Sequence, residues 1–510
     1  MALLFNCSHH ILVCFCVPCL ALIAYFTIIH QRIFYSSLRR ASGVPGPWLS
    51  KITRLHLAYY ELLCRRNTEI FRWHHRYGPV VRLSPNEVSV STLDAVRQVY
   101  TAKNGWSKSS YFDNFMGYNQ RPIFAVKPSQ EHSEKRKLTS AFYQPSALYN
   151  FPDLELYVDA RCKAVLKTLE HAPITDVYSL TDWYAFDVIT YVVFGPNHGT
   201  HCIEEPCEER AIIEDLKHLQ FFGPFSLLFP GLFAYMSYLL PRLTPQLKYL
   251  QAEKTLAEWC RRRISEVVND PMLFSSRSLL RQLMQVEEKA GGQRLDPDFV
   301  AAELLDNINA ARATVTVTAT YLIWLLSRHP AWQYKVNQEL RALSTTPHQP
   351  ASFSTINNRA PILEACIWEV YRLYPASSGR SERVVPAGGC ILSDVYLPAN
   401  TTVMSCVLAL HRDETVFPDP ETFNPQRWLG VEDVGLKIRK AQLIPFGYGG
   451  RICLGKALAT MEIKMLAAHL YFHYETAATE MCTPESLRQS STHDAVPRAK
   501  ECLIRFRKLD

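Results

Sequence analysis

The 510-residue chain lacks a regular cysteine framework: its 15 cysteines are odd in number and irregularly spaced, and the one Cys-x-x-Cys pair, Cys16–Cys19, lies within an uncharged apolar run. That argues against a disulfide framework and a structural zinc site, so most of the thiols are expected to be reduced and buried. No block of like charge occurs. The 55 Lys and Arg against 48 Asp and Glu leave +7 over the whole chain, far below the density of a nucleic-acid binder. No low-complexity linker or internal repeat divides the sequence, which points to one large domain. Flavin and nicotinamide fingerprints are also missing. The one glycine-rich segment that mimics a nucleotide loop, Pro445–Ala459, lacks the deciding residues. Gly450, Gly455 and Lys456 satisfy GxxxxGK, but Ala457 stands where a hydroxyl must hold magnesium, and Ile452 stands where a dinucleotide loop needs its third glycine. Only 55 residues follow Gly455, too few to build a nucleotide-binding sheet.

What is present is a hydrophobic fraction of 48%, enough for a large core. Ile11–Ile29 is an uncharged run of 19 residues, about 28 Å long as a helix and so close to a bilayer's thickness. No Lys or Arg precedes it, whereas Arg32, Arg39, Arg40, Lys51 and Arg54 follow, which places the bulk of the chain on the cytosolic side. Residues 1–31 read as a membrane anchor, and 32–50 as a basic, proline-rich connector ending in Gly43-Val-Pro-Gly-Pro47. Residues 51–510 form the body. A second uncharged run, Phe221–Leu240, contains Pro224 and Pro230 and reads as broken helices that touch the bilayer or roof an apolar cavity. Strand-like pieces are few: Val80–Leu83, Glu87–Ser91 and Val384–Val403. The fold class is therefore mainly α, an α-rich α+β domain. Asp296-Pro297 is a strong helix start, and the helical pattern runs to about Arg328. The middle of that helix, Thr314-Val-Thr-Val-Thr318, has poor helix propensity. Such a local violation often marks a functional site.

The glycine-rich loop has a second reading. It spells Phe446-x-x-Gly449-x-Arg451-x-Cys453-x-Gly455, and Leu454 to about Tyr474 has helical periodicity. Cys453 thus sits at a helix N-terminus, where N–H groups and the dipole favour a thiolate. The glycines let the backbone pass close to a flat ligand, and Phe446 shields it from water. An axial thiolate on haem iron favours O–O cleavage. With this loop the chain resembles the cytochrome P-450 family, from the N-terminal anchor almost to the C-terminus. Glu369-Val-Tyr-Arg372 is similar to the family's ExxR, and Pro425-Gln-Arg427-Trp428 to the segment whose arginine completes a triad bracing the haem loop.

The resemblance implies haem b with Cys453 as the metal ligand, and Phe446, Gly449, Arg451 and Gly455 around it. Its propionates would meet His132 and Arg136, which match HxxxR, together with Arg383 and Arg451. It implies Thr314 as the catalytic hydroxyl that relays protons. Here the sequence departs from the family pattern, because Ala310-Ala311-Arg312-Ala313-Thr314 has no acid at 313. Asn309, water on Arg312, or the substrate would then supply the protons. Phe112, Ala310 and Val317 are expected to line an apolar substrate pocket, along with the turn 490–496.

The implied activity is an endoplasmic-reticulum monooxygenase of fungal secondary metabolism. It would hydroxylate or epoxidise a lipophilic small molecule with O₂ and electrons from NADPH–cytochrome P-450 reductase, docked on Lys437, Arg439 and Lys440. No nucleic-acid partner is expected. The missing acid motivates a haem-thiolate isomerase, dehydratase or oxidative-coupling enzyme as the alternative, and a haem-binding membrane protein without turnover as a third.

Overall fold

A computed structural model describes residues 43–101, 106–270, 277–289 and 295–509. Its organising element is the helix Pro297–Arg328, 32 residues long, bounded as its sequence predicts. The Asp296 side chain accepts the Asp298 amide, and Pro297 occupies the first turn, where no N–H is needed. The β-branched middle stays helical because nearly every residue from Val315 to Ser327 is buried. The hydroxyls of Thr314, Thr316 and Thr318 each donate to the carbonyl four residues back, at 2.9, 2.8 and 3.0 Å. Against it lies Val177–Phe194, mostly apolar and buried over almost its whole length, its buried Asp182 and Asp187 satisfied by hydrogen bonds.

One large hydrophobic core joins these two helices to Pro361–Leu373 and Lys456–His473. A smaller core covers a five-stranded sheet in the order Val80–Ser84, Glu87–Val90, Thr402–Ser405, Arg383–Val384, Ser107–Lys108. Glu87–Val90 and Thr402–Ser405 run parallel, and the other neighbours antiparallel. The first two strands fall within a residue of their predicted bounds. The segment 384–403 is divided by its turns into four short strands. Sequence reading missed the pair Ser107–Lys108, because two residues carry no periodicity. It also missed the C-terminal sheet of Ile174–Asp176, Leu503–Lys508 and Tyr474–Ala478.

One boundary expectation changes. Gly43–Pro47 belongs to the body rather than to a free connector. Val44 is buried with Val80 and Val88, the Pro45 carbonyl accepts the Arg82 amide at 2.7 Å, and a Cβ on Gly46 would lie 2.7 Å from the Arg82 carbonyl oxygen. Phe221–Leu240 forms broken helices, as its prolines predict: Gly223–Leu228 ends at Phe229 and Pro230–Leu243 begins anew. Leu232, Tyr235, Tyr238 and Leu243 of the second helix are exposed. The predicted anchor Ile11–Ile29 lies outside the described residues, and no helix among those described is long and apolar enough to cross a membrane.

Candidate functional site

The helix Lys456–His473 starts from Gly455 as N-cap, and the loop before it folds back on itself. Cys453 N donates to Phe446 O at 2.9 Å, Ile452 N to Gly449 O at 3.1 Å, and Gly447 N to Ile444 O at 3.1 Å. The amides of Gly455 and Lys456 hydrogen-bond the Cys453 sulfur. Burial nevertheless pushes this thiol up, outweighing those amides and the charges of Arg136 and Lys456. The helix-start amides and these charges favour the thiolate, as the sequence predicts, and a metal ion bound at the sulfur would favour it further. Phe446 packs edge-on to Tyr371, ring centroids 5.1 Å apart.

Gly449 is obligatory on two counts. Its φ is +73°, and a Cβ would stand 2.0 Å from the Tyr100 carbonyl oxygen. Gly447, at φ +78°, has nothing within 4 Å of such a Cβ. Gly447→Ala is therefore expected to cost about 1–2 kcal/mol of backbone strain. Gly449→Ala should displace the loop and abolish haem uptake, read as haem per mole of purified protein.

Glu369 and Arg372 are completely buried, paired at 2.7 and 2.9 Å. Glu369 also accepts Asn424 N at 3.0 Å, Arg427 Nε at 3.3 Å and Trp428 Nε1 at 2.9 Å. Arg372 donates to the carbonyls of His411, Pro420 and Thr422 at 3.1, 2.5 and 3.1 Å. A buried pair so fully hydrogen-bonded is rigid rather than merely charged. It reaches the cysteine loop through His411, whose Nε2 accepts Ile444 N at 3.0 Å. Burial and the neighbouring arginines lower the His411 pKa to about 3, so the ring is a neutral acceptor at physiological pH. Sequence reading missed His411 and the part played by the Trp428 indole. Neither carries a motif signal of its own.

The sheet brings the nominated cations together. Lys108 lies directly across from Arg383 in an antiparallel pair, both 6% exposed, an opposition of like charges that destabilises a sheet unless an anion joins it. His132 is 5% exposed. Its pKa falls to about 3 through burial and then the charges of Arg451, Lys108, Arg136 and Arg383, so all four share its surroundings. Arg451 donates to the carbonyls of Val126, Lys127 and Pro128 at 2.6, 2.8 and 3.1 Å, and Arg136 to that of Ile452 at 2.7 Å. None of the five is ion-paired with a described carboxylate. Keeping Lys108 and Arg383 charged and buried there is costly without an anion, and the two carboxylates of haem fit that need. Lys108 was overlooked by sequence reading, since its place beside Arg383 arises only from strand pairing.

Ala310 and Asn309 are exposed in the middle of the long helix, and Thr314 is half-buried on the same side. Cys453 is likewise accessible, although protein encloses its loop. Phe112 and Val317 depart from expectation. At 2% and 0% exposed they are closed into protein contacts and add no accessible surface, Phe112 being packed among Tyr111, Phe115 and Phe124. Arg312 is a second correction, because it faces away from Thr314 and forms a buried pair with Asp182 at 2.8 and 2.9 Å. Water on Arg312 is no proton source for Thr314. Arg312→Met is expected to destabilise the fold by about 3–5 kcal/mol in urea unfolding, with little change in turnover per folded, loaded molecule. Phe221 and Ser490 meet at a separate cavity of about 290 Å³ whose lining includes Arg65, Arg72, Arg488 and Arg498 but no residue of the cysteine loop.

The family model for cytochrome P-450 matches residues 52–500. Cytochrome P-450 monooxygenase FGM1 of Gibberella zeae is 36% identical, covering 91% of this chain and 92% of its own length. Cytochrome P-450 monooxygenase orf2 of Aspergillus niger is 28% identical, covering 88% of each. Cytochrome P-450 monooxygenase hepC of Aspergillus oryzae is 27% identical, covering 86% and 88%. A thiol at a helix start, a buried glutamate–arginine triad behind it and a cluster of unpaired cations beside it are thus found in a chain that belongs to the cytochrome P-450 family of haem-thiolate, oxygen-incorporating oxidoreductases.

Proposed function

We propose that this monooxygenase inserts one atom of O₂ into a small molecule held against the Ala310–Thr314 face, using electrons from a separate NADPH–cytochrome P-450 reductase. The observation that carries the reading is the cluster of basic side chains beside the Cys453 loop, with Lys108 and Arg383 buried, that has no ion pair with a carboxylate among the described residues. Haem, when bound, supplies the iron at which O₂ is activated. Cys453 would hold it from below, Phe446 would keep water from the sulfur, and His132, Arg136, Arg383, Arg451 and Lys108 would hold its propionates. Thr314 already donates its proton to Ala310 O, so its oxygen is free to accept a hydrogen bond from water and hold that water near the reacting position. Lys437 is exposed, and Lys440 is tied to Glu432 at 3.1 Å. The exposed Lys437 supports reductase docking on this face, whereas the charge of Lys440 is already met by Glu432. The fungal relatives support a role in secondary metabolism and a microsomal setting, with the predicted anchor in the endoplasmic reticulum membrane.

Ala313, which leaves the helix without its usual acid, favours a second reading, rearrangement or dehydration on the same group. The test separates the two. Loaded protein given ¹⁸O₂, NADPH and reductase should label a product only when all three are present. Turnover in the absence of NADPH and reductase would establish the second reading instead.

A further inference from the structure

Asp306 stands two helical turns before Thr314 on the same face, with Ala310 between them at i, i+4, i+8. Its polar neighbours are spent on holding the fold together. Glu303 accepts Ile123 N at 2.8 Å and Asn307 Nδ2 at 3.2 Å, and Asn307 Oδ1 accepts the Tyr143 hydroxyl at 2.7 Å. Asp306 makes no hydrogen bond and no ion pair with any described residue. Lys108 is the cation whose charge reaches it, but its Nζ donates to the Phe124 carbonyl and lies 3.9 and 4.0 Å from the ring centroids of Phe112 and Phe124. Burial, with Glu303 adding to it, pushes the Asp306 carboxyl up to about 8. An unpartnered carboxyl on the open face of the reacting helix thus stays largely protonated, and a ligand's positive group beside it would favour the ionised form.

We propose that Asp306 recognises a cationic group, an ammonium or guanidinium, carried by the molecule that is oxidised beside Thr314. This rests on the monooxygenase reading and narrows it from a wholly apolar substrate to one with a charged end. Eight residues of helix rise about 12 Å, which bounds how far along the helix that end lies from the Thr314 hydroxyl. The same distance argues against Asp306 replacing the acid missing at 313, since Ala310 between them has no side chain to pass a proton on.

The experiment uses the full-length, haem-loaded protein and a matched pair of probes, 4-phenylbutylguanidinium and 4-phenylbutylurea. A guanidinium remains charged and offers no lone pair to iron. Affinities are measured by Soret shift and by equilibrium dialysis. The wild type should bind the guanidinium at least about ten-fold tighter than the urea, the effect of one charged hydrogen bond. Asp306→Asn should abolish that preference while leaving the urea affinity within about two-fold, and Asp306→Glu, which retains the charge, should retain part of it. Equal affinities in the wild type, or equal weakening of both probes in Asp306→Asn, would overturn the assignment. So would unchanged affinities with less product per NADPH, which would make Asp306 a proton donor. Lack of a thiolate-type carbon monoxide band in the wild type would defeat the haem-thiolate reading itself, a failure distinct from these.

Discussion

Cys453→Ser should leave a folded protein whose reduced, carbon monoxide-bound spectrum no longer has the thiolate-type band and whose oxygenation falls by at least about a thousand-fold, or about 4 kcal/mol of barrier. Serine preserves the shape of the loop. The hydrogen bonds that set it, Cys453 N to Phe446 O and the amides of the following helix start, come from backbone or point at the side-chain position without depending on sulfur. What changes is the ligand atom, because an alkoxide is far harder to form than a thiolate and donates less electron density to iron. Circular dichroism should match the wild type. A variant retaining the original band would show that another residue ligates the metal.

Glu369→Gln is expected to have the second-largest effect, through architecture rather than chemistry. The substitution leaves the Arg372 guanidinium fully buried without a counter-charge and weakens the bonds to Arg427 and Trp428. The cost is about 3–5 kcal/mol, read as a lowered urea midpoint, with haem content falling in parallel. The double variant Glu369→Leu/Arg372→Met separates the two effects. It should recover much of the stability, since apolar pairs replace buried ion pairs at little cost. It should not recover haem, because it still lacks the Arg372 bonds to the carbonyls of His411, Pro420 and Thr422 that position the loop through Ile444. A double variant with full haem content would show that the triad does not brace the site.

The parts of the site that could be read from sequence are those built within one stretch of chain. The cysteine loop is such a part, since Gly449, Cys453 and Gly455 lie within seven residues and their spacing encodes a turn entering a helix. The bounds of Pro297–Arg328 are another, because an N-cap and a proline punctuate them. The pairing of Glu369 with Arg372 follows from their places on one helix face. Less legible were features made by side-chain direction. Arg312 sits two residues from Thr314 but points to the opposite side of the helix, into Asp182. Phe112 and Val317 have pocket-like chemistry, yet packing closes over them.

Sequence alone nominated Cys453 as the ligand and determined the helix that follows it and the long helix Pro297–Arg328, because local spacing and backbone propensity act over a few residues and need no distant partner. Only the tertiary structure decided that Lys108 faces Arg383, that His411 links the triad to the loop, and that Asp306 has no hydrogen-bond or ion-pair partner among the described residues. Those contacts join residues separated by up to hundreds of positions, and burial, which exists only once the chain has closed around them, sets their charge states.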